Sequence, residues 1–91
     1  MPVELVIPPR LSQFANGQRH FQLQAGTLQE LLEHLCSQHP DLRVRLLGET
    51  GQLYSYFAIL HNQQQFAADA AATIACRDGD QLEIMTLASG G

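Results

Sequence analysis

The sequence predicts an α+β fold in which one main helix packs on a mixed sheet of four or five strands. Two patterns support this prediction. Over residues 28–36, apolar side chains recur at the spacing of one helix face. Over residues 3–7 and 82–86, apolar and polar side chains alternate, which is the period of a half-buried strand. Because strands flank the helical segment on both sides, helix and sheet are expected to share one core.

Length and composition limit the chain to one domain. Its 91 residues, 45% of them hydrophobic, are enough for one core but too few for two. No apolar run approaches the roughly 20 residues that a membrane helix needs, and the first residues lack the basic start of a secretory signal. We expect a cytoplasmic protein with a folded domain at residues 1–87 and a flexible tail at residues 88–91.

The charge balance argues against nucleic acid as a partner. The chain has five arginines, no lysine and nine acidic residues, for a net charge of −4. An acidic surface repels phosphate backbones, so a basic enzyme surface is the expected kind of partner. We expect no membrane partner either. Without lysine, the chain cannot form ubiquitin-style chains on its own side-chain amines.

The first two predicted strands form a long hairpin. Residues 3–7 alternate, and Pro8-Pro9 ends the strand because neither proline can donate to a strand ladder. Asn16-Gly17 is a turn signal. Residues 20–24 then alternate again, which predicts a second strand antiparallel to the first.

A capping-box pattern marks the start of the main helix. Thr27 is suited to the N-cap position, and Glu30 follows three residues later. The helix should end near His39-Pro40, because the residue before a proline resists the helical conformation. A second, short helical turn is predicted at residues 41–47. The apolar face of the main helix consists of Leu28, Leu31, Leu32, Leu35 and Cys36.

The second half of the chain predicts three further strands. Residues 54–61 are too apolar for a surface strand and are placed centrally in the sheet. A turn at residues 62–65 leads to a short edge strand around Phe66. The Ala-rich residues 67–76 are interpreted as a loop with a helical turn. The last strand follows the turn at Asp78-Gly79, where glycine can adopt a positive φ.

The final residues combine a strand with a tail that has no side chains to pack. After the strand the sequence is reduced to Ala, Ser, Gly and Gly. The chemistry such a tail offers is the α-carboxylate of Gly91, which is ionised at neutral pH because such groups have a pKa of about 3.3 to 3.7. This carboxylate can attack an activated phosphate, and glycine lets the backbone enter a narrow channel. The alternative is a frayed terminus or a trimmed linker.

These features resemble the ubiquitin-like sulfur carrier proteins. That family includes the small subunit of molybdopterin synthase, the thiamine-pathway carrier and carriers for cysteine or methionine synthesis. The resemblance rests mainly on Asp78-Gly79-Asp80, the alternating strand and Gly90-Gly91, with support from Gly26-Thr27-Leu28. It implies a ubiquitin-like β-grasp fold, whose first and last strands pair in parallel at the sheet centre and direct residues 88–91 away from the domain.

The resemblance also implies a function for Gly90 and Gly91. A ubiquitin-activating-like adenylyltransferase would use ATP to adenylate Gly91, and a sulfurtransferase or sulfide would supply sulfur for a thiocarboxylate. The chain itself would bind no cofactor and would not be an enzyme. Delivery to cysteine, methionine or another thio-metabolite is placed ahead of delivery to molybdopterin, because of the long hairpin and a mid-chain insert. Two alternatives remain open: a ubiquitin-like modifier joined to substrate lysines through Gly91, and an interaction domain with a flexible tail.

An apolar surface on the sheet face opposite the helix is the expected partner-binding region. If Leu5 and Ile84 face the helix, alternate residues face away. A register error of one residue would exchange the two faces. The predicted partner-binding residues are Val6, Phe57, Ile59, Met85, Leu87, Ala88 and Ser89.

The cysteines and histidines predict neither a catalytic nor a metal site. Cys36 lies on the apolar helix face and is expected in the core. Cys76 follows an alanine and precedes Arg77, which makes it the better candidate for reactivity, although a structural role is favoured. The four histidines share no ligand spacing. No phosphate loop or nucleophile elbow is present, which argues against an enzyme.

Overall fold

The sheet is built around the C-terminal strand. The computed structural model describes residues 2–87. Its five-stranded sheet has the order β2-β1-β7-β4-β5. The strands of this sheet are β1 (Val3–Val6), β2 (His20–Leu23), β4 (Phe57–His61), β5 (Gln64–Ala67) and β7 (Gln81–Thr86). A separate two-stranded sheet pairs β3 (Gly26–Thr27) with β6 (Ala75–Cys76).

The strand pairings confirm the predicted mixed sheet. β1 pairs antiparallel with β2 and parallel with β7, as the resemblance implied. β7 also pairs antiparallel with β4, so it has a partner on each side. The strand predicted at residues 54–61 is shorter than expected and lies second from one edge of the sheet.

Helix α1 (Leu28–Gln38) begins at the predicted capping box. The Thr27 hydroxyl accepts a hydrogen bond from the Glu30 amide at 3.2 Å, and the Glu30 carboxylate accepts one from the Thr27 amide at 2.9 Å. These two bonds satisfy amides that have no partner inside the helix. The predicted second helical turn is α2 (Pro40–Leu46).

Two short 3₁₀ helices and one small sheet fill the connections. The first 3₁₀ helix (Pro9–Ala15) occupies the long hairpin. The second (Ala68–Ala72) is the helical turn predicted in the Ala-rich segment. The sequence did not predict β6, because a two-residue strand has no period of its own and exists only through its pairing with β3. The structure contains no helix in residues 2–87 with the length and apolarity required to cross a bilayer.

The core lies between α1 and the sheet. Leu5, Phe21, Leu82 and Ile84 line the sheet side. All five residues of the predicted α1 face are buried, including Leu31 and Leu32 at 4% and 0% exposure. Among the described residues, no polar or charged side chain is buried in this core. Burial of apolar surface is therefore the main stabilising term.

Asp80 connects the start of β7 to three other segments. Its carboxylate accepts hydrogen bonds from the Arg77 amide (2.9 Å), His61 Nε2 (2.9 Å) and Asn62 Nδ2 (3.1 Å). Its carbonyl accepts one from the amide of Glu4 in β1, also at 2.9 Å. The bond from the Arg77 amide, followed by those from His61 and Asn62, lowers the pKa of Asp80 from 3.8 to about 2.

Replacing Leu32 with Ala tests the placement of α1. The side chain is fully buried, so its truncation should lower the free energy of unfolding by about 2 to 5 kcal/mol. Val44→Ala is the matched control, since Val44 is 66% exposed on α2 and should change stability little. Chemical denaturation measures both. Equal midpoints for the two variants would show that Leu32 does not lie on the buried face of α1.

Asp80→Asn should destabilise the protein in a pH-dependent way. The folded-state pKa lies below the ordinary value of 3.8, so the carboxylate stabilises the fold above that pH. The stabilisation is lost as the pH falls through about 2. The difference in unfolding midpoint between Asp80→Asn and the parent should therefore be constant near neutral pH and shrink below pH 3.8.

The control for this comparison is Asp78→Asn, which alters an exposed carboxylate of the same turn. It removes the same charge, so it reports the general effect of net charge. If both variants show the same pH profile, Asp80 does not hold the start of β7.

Candidate functional site

The candidate functional site is the end of β7 and the chain that follows it. The Leu87 amide donates a hydrogen bond to the Tyr56 carbonyl at 2.8 Å. The backbone is thus held one residue beyond the strand. The segment after Leu87 therefore starts from the sheet's interior strand. Outside the described residues lie the predicted contact residues Ala88 and Ser89 and the predicted reacting residues Gly90 and Gly91.

A groove of about 510 Å³ runs beside the end of β7, and we call it the β7 groove. One wall is formed by Pro8, Pro9 and Arg10, and the other by residues 83–87. The prolines have fixed φ angles, which makes their wall stiff. Leu87 is 45% exposed at the groove's end. The groove therefore offers apolar surface next to the point where the tail begins.

The open face of the sheet, turned away from α1, carries two of the predicted partner-binding residues. Val6 and Met85 lie there and are half-buried. Leu60 of β4 lies on the same face. It is two residues from Ala58, which pairs with Met85, and residues two apart in a strand share a face. We call the side chains of Val6, Leu60 and Met85 the apolar strip. Glu83 of β7 lies between Val6 and Leu60.

Two predicted partner-binding residues lie in the core instead. Phe57 and Ile59 are 3% and 0% exposed. Ile59 pairs with Ile84, so both side chains point toward α1. The prediction for this strand was wrong by one position, and such a shift exchanges the two faces. The sequence could not fix the register, since residues 57–60 are all apolar.

The polar part of the open face is acidic. Glu4 and Glu83 lie on it beside Val6, and the carboxylate of Glu4 is 3.3 Å from Nδ1 of His20. Carboxylates thus lie among and beside the side chains of the apolar strip. This arrangement suits a partner surface that is apolar with basic residues around it.

Neither cysteine is placed for chemistry. Cys36 and Cys76 are 1% and 3% exposed, and burial raises the pKa of each thiol from 9.0 to about 11. Both are therefore neutral thiols at physiological pH, and thiols of this kind react slowly. The greater reactivity expected of Cys76 is not supported. Within residues 2–87 no cluster of three or more His, Cys, Asp or Glu side chains could hold a metal.

No pattern in the sequence indicates the β7 groove. Pro8-Pro9 predicts only the end of a strand. Its position in a groove wall follows from the path of the hairpin back toward β7. Leu60 was part of an apolar run in which its facing could not be assigned. The role of Asp80 was also missed, because its partners come from residues 61, 62 and 77, which the fold brings together.

The parallel β1–β7 pair, the flanking strands and the helix packed on one face define a ubiquitin-like β-grasp fold. The end of β7 remains the candidate site. The chain belongs to the ThiS family, which it matches over residues 6–91, and thus to the ubiquitin-like sulfur carriers.

Known relatives agree in sequence and in structure. The chain is 37% identical to small archaeal modifier protein 1 of Haloferax volcanii over 66 residues, which are 72% of this chain and 71% of the relative. The crystal structure of that organism's SAMP1 is similar with a TM-score of 0.79 and 28% identity, over 100% of both chains. A chain of the Amycolatopsis orientalis BexX/CysO complex has the same fold, with a TM-score of 0.79 and 23% identity over 98% of this chain and 99% of that one.

Proposed function

We propose that this protein is a sulfur carrier whose Gly91 carboxylate is adenylated and converted to a thiocarboxylate that donates sulfur in biosynthesis. The observation that carries the proposal is the position of β7. The strand is paired on both sides and bonded through Leu87, so the tail starts from a rigid base. Four residues follow Leu87, and an extended chain of that length reaches at most about 14 Å. Membership of the ThiS family supports the same conclusion.

The proposed chemistry has two steps. A carboxylate oxygen of Gly91 attacks the α-phosphorus of ATP; a phosphorus–oxygen bond forms, the bond to the β-phosphate breaks, and pyrophosphate leaves. Hydrosulfide then attacks the acyl carbon, a carbon–sulfur bond forms, and AMP leaves to give the thiocarboxylate. Where the persulfide of a sulfurtransferase attacks instead, AMP leaves an acyl disulfide, and a thiol reductant cleaves its sulfur–sulfur bond to release the thiocarboxylate. A partner adenylyltransferase of the ubiquitin-activating kind holds the ATP. The small Gly90 and Gly91 let the acyl carbon enter that enzyme's site.

The open face is the proposed contact surface for the activating enzyme. Its apolar strip, with Val6, Leu60 and Met85, lies beside the β7 groove and Leu87. An enzyme that binds the strip and the groove also holds the base of the tail. The carboxylates of Glu4 and Glu83 on the same face favour a basic enzyme surface.

Sulfur delivery to cysteine, methionine or another thio-metabolite is proposed ahead of delivery to molybdopterin. Two features of the chain suggest this order, the long hairpin and the mid-chain insert. The hairpin contains the first 3₁₀ helix, and the insert contains α2. They give a downstream enzyme additional surface to recognise. Purification of the protein from its own cells with its bound partners tests the order, and recovery of a molybdopterin-synthase large subunit would reverse it.

A protein modifier is the second candidate function. The relative that is 37% identical is named a modifier protein, and the adenylate would serve either function. A lysine amine attacking the adenylate would form an amide with Gly91 and release AMP. A mass-spectrometric search for cellular lysines linked to Gly91 distinguishes the two functions, because a pure sulfur carrier leaves none.

Removal of Gly90 and Gly91 should abolish sulfur loading without affecting the fold. Neither residue has a side chain to bury, so the unfolding midpoint should stay nearly unchanged. Loading is measured by intact mass after incubation with the activating enzyme, ATP and sulfide, as replacement of one oxygen by sulfur. Gly91→Ala should load more slowly than the parent but better than the truncated chain. Normal loading of the truncated chain would contradict the carrier proposal.

Met85→Gln should weaken binding to the activating enzyme. The change places an amide in the apolar strip, which a partner would have to desolvate. We expect a KM for this carrier protein raised about tenfold in ATP–pyrophosphate exchange, which corresponds to about 1.4 kcal/mol. Gln38→Ala is the control, because Gln38 is exposed on α1 on the opposite side of the sheet, and it should leave KM unchanged. Equal KM values for the two variants would exclude the open face as the contact surface.

A further inference from the structure

A second groove, of about 440 Å³, lies between the first 3₁₀ helix, α2 and the segment before β4. It meets the β7 groove at Pro8, Arg10 and Thr86, which line both. We call it the aromatic groove. Its volume is in the range of protein binding sites. Its charged, aromatic and exposed apolar lining residues include Arg10, Phe14, Val44, Arg45, Tyr54 and Tyr56.

Four side chains of the aromatic groove contact one another in two pairs. The Arg45 guanidinium lies 3.9 Å from the centre of the Phe14 ring, a cation–π contact. The rings of Tyr54 and Tyr56 are stacked with centres 5.3 Å apart and planes 10° from parallel. A partner that binds here has fewer side chains to immobilise, which lowers the entropic cost of binding.

The apolar surface of the groove is exposed to an unusual degree. Of the described residues, Val44 at 66%, Tyr56 at 51% and Leu87 at 45% are the large hydrophobic side chains that are exposed. The first two line the aromatic groove and the third lines the β7 groove. Exposed apolar surface concentrated at one place commonly marks an interaction site.

The aromatic groove is positive on an otherwise acidic protein. Two of the chain's five arginines, Arg10 and Arg45, line it. Within the described part of the chain, no Asp or Glu is among its lining residues. A guanidinium can hold a carboxylate through two parallel hydrogen bonds. The groove therefore complements an acidic ligand, whereas the open face with Glu4 and Glu83 complements a basic one.

We propose that the aromatic groove binds an extended acidic segment of a partner protein, one that carries an apolar side chain between its carboxylates. The carboxylates bind Arg10 and Arg45, and the apolar side chain packs between Val44 and Tyr56. A protein segment fits better than nucleic acid, because the net charge of −4 repels a phosphate backbone. Tyr and Arg are also among the residues that dominate protein interfaces. A partner bound here lies beside the β7 groove, at the base of the tail.

Two fluorescein-labelled nine-residue peptides test the proposal. One has three glutamates spaced by leucine and serine, and the other has glutamine at those three positions. Anisotropy should show binding of the acidic peptide that weakens with added salt, and binding at least tenfold weaker for its glutamine counterpart. In spectra of ¹⁵N-labelled protein, the shifted amides should cluster at residues 10–14, 44–45 and 54–56. Binding of the peptide does not require a loaded Gly91, so this test and the sulfur-loading test can fail separately.

Arginine variants supply the matched comparison. Arg10→Gln and Arg45→Gln should each weaken binding of the acidic peptide about twofold to fivefold, and the double variant about tenfold. Arg77→Gln removes the same charge from the exposed turn before β7 and should have no effect beyond the general change in net charge. An unchanged amide spectrum away from the groove confirms that each variant is folded.

Four outcomes would overturn the proposal. The first is no binding at millimolar peptide, and the second is equal binding of the two peptides. The third is tighter binding of a single-stranded oligothymidylate, since stacked rings and arginines also bind nucleic acid. The fourth is a shift of the same amides on dilution of the protein alone, which would assign the groove to a second copy of this chain.

Discussion

The register of the sheet depends on the anchoring of β7 by Asp80. The Asp80 carboxylate accepts hydrogen bonds from the Arg77 amide in the turn before the strand and from the side chains of residues 61 and 62. The Asp80 carbonyl accepts a hydrogen bond from the amide of Glu4 in β1. These bonds fix where β7 starts, and its start fixes the register with β1 and β4. That register places Leu82 and Ile84 in the core and Met85 on the open face. An error of one residue at Asp80 would therefore reverse the inner and outer faces of the central strand.

The same strand separates the stable part of the protein from the part that is proposed to react. Upstream of Leu87, the chain is held by a ladder on each side and by a fully apolar core. A rigid base makes a short tail more effective, because fewer conformations compete with the one that enters a partner's active site. Under the proposed function, reactivity depends on the end of the chain and not on side chains. The neutral, buried thiols of Cys36 and Cys76 agree with this division.

The surfaces around the end of β7 differ in charge. The open face combines an apolar strip with carboxylates, whereas the aromatic groove combines exposed rings with two arginines. The β7 groove lies between them and touches the tail's base. A carrier has to be recognised by more than one enzyme in turn, and surfaces of opposite charge allow different partners to be selected at one end of the molecule.

Local sequence determined the elements: the Thr27 capping box, the apolar face of α1, the turn at Gly79 and the alternation in β1 and β7 each follow from neighbouring residues. Tertiary structure decided what depends on distant residues. The facing of Phe57 and Ile59 was set by pairing with β7, because an apolar run has no preferred side of its own. The small β3–β6 sheet, the contacts of Asp80 and both grooves likewise bring together segments far apart in the chain. A periodic pattern shows which residues share a face, but the packing of other segments decides what that face meets.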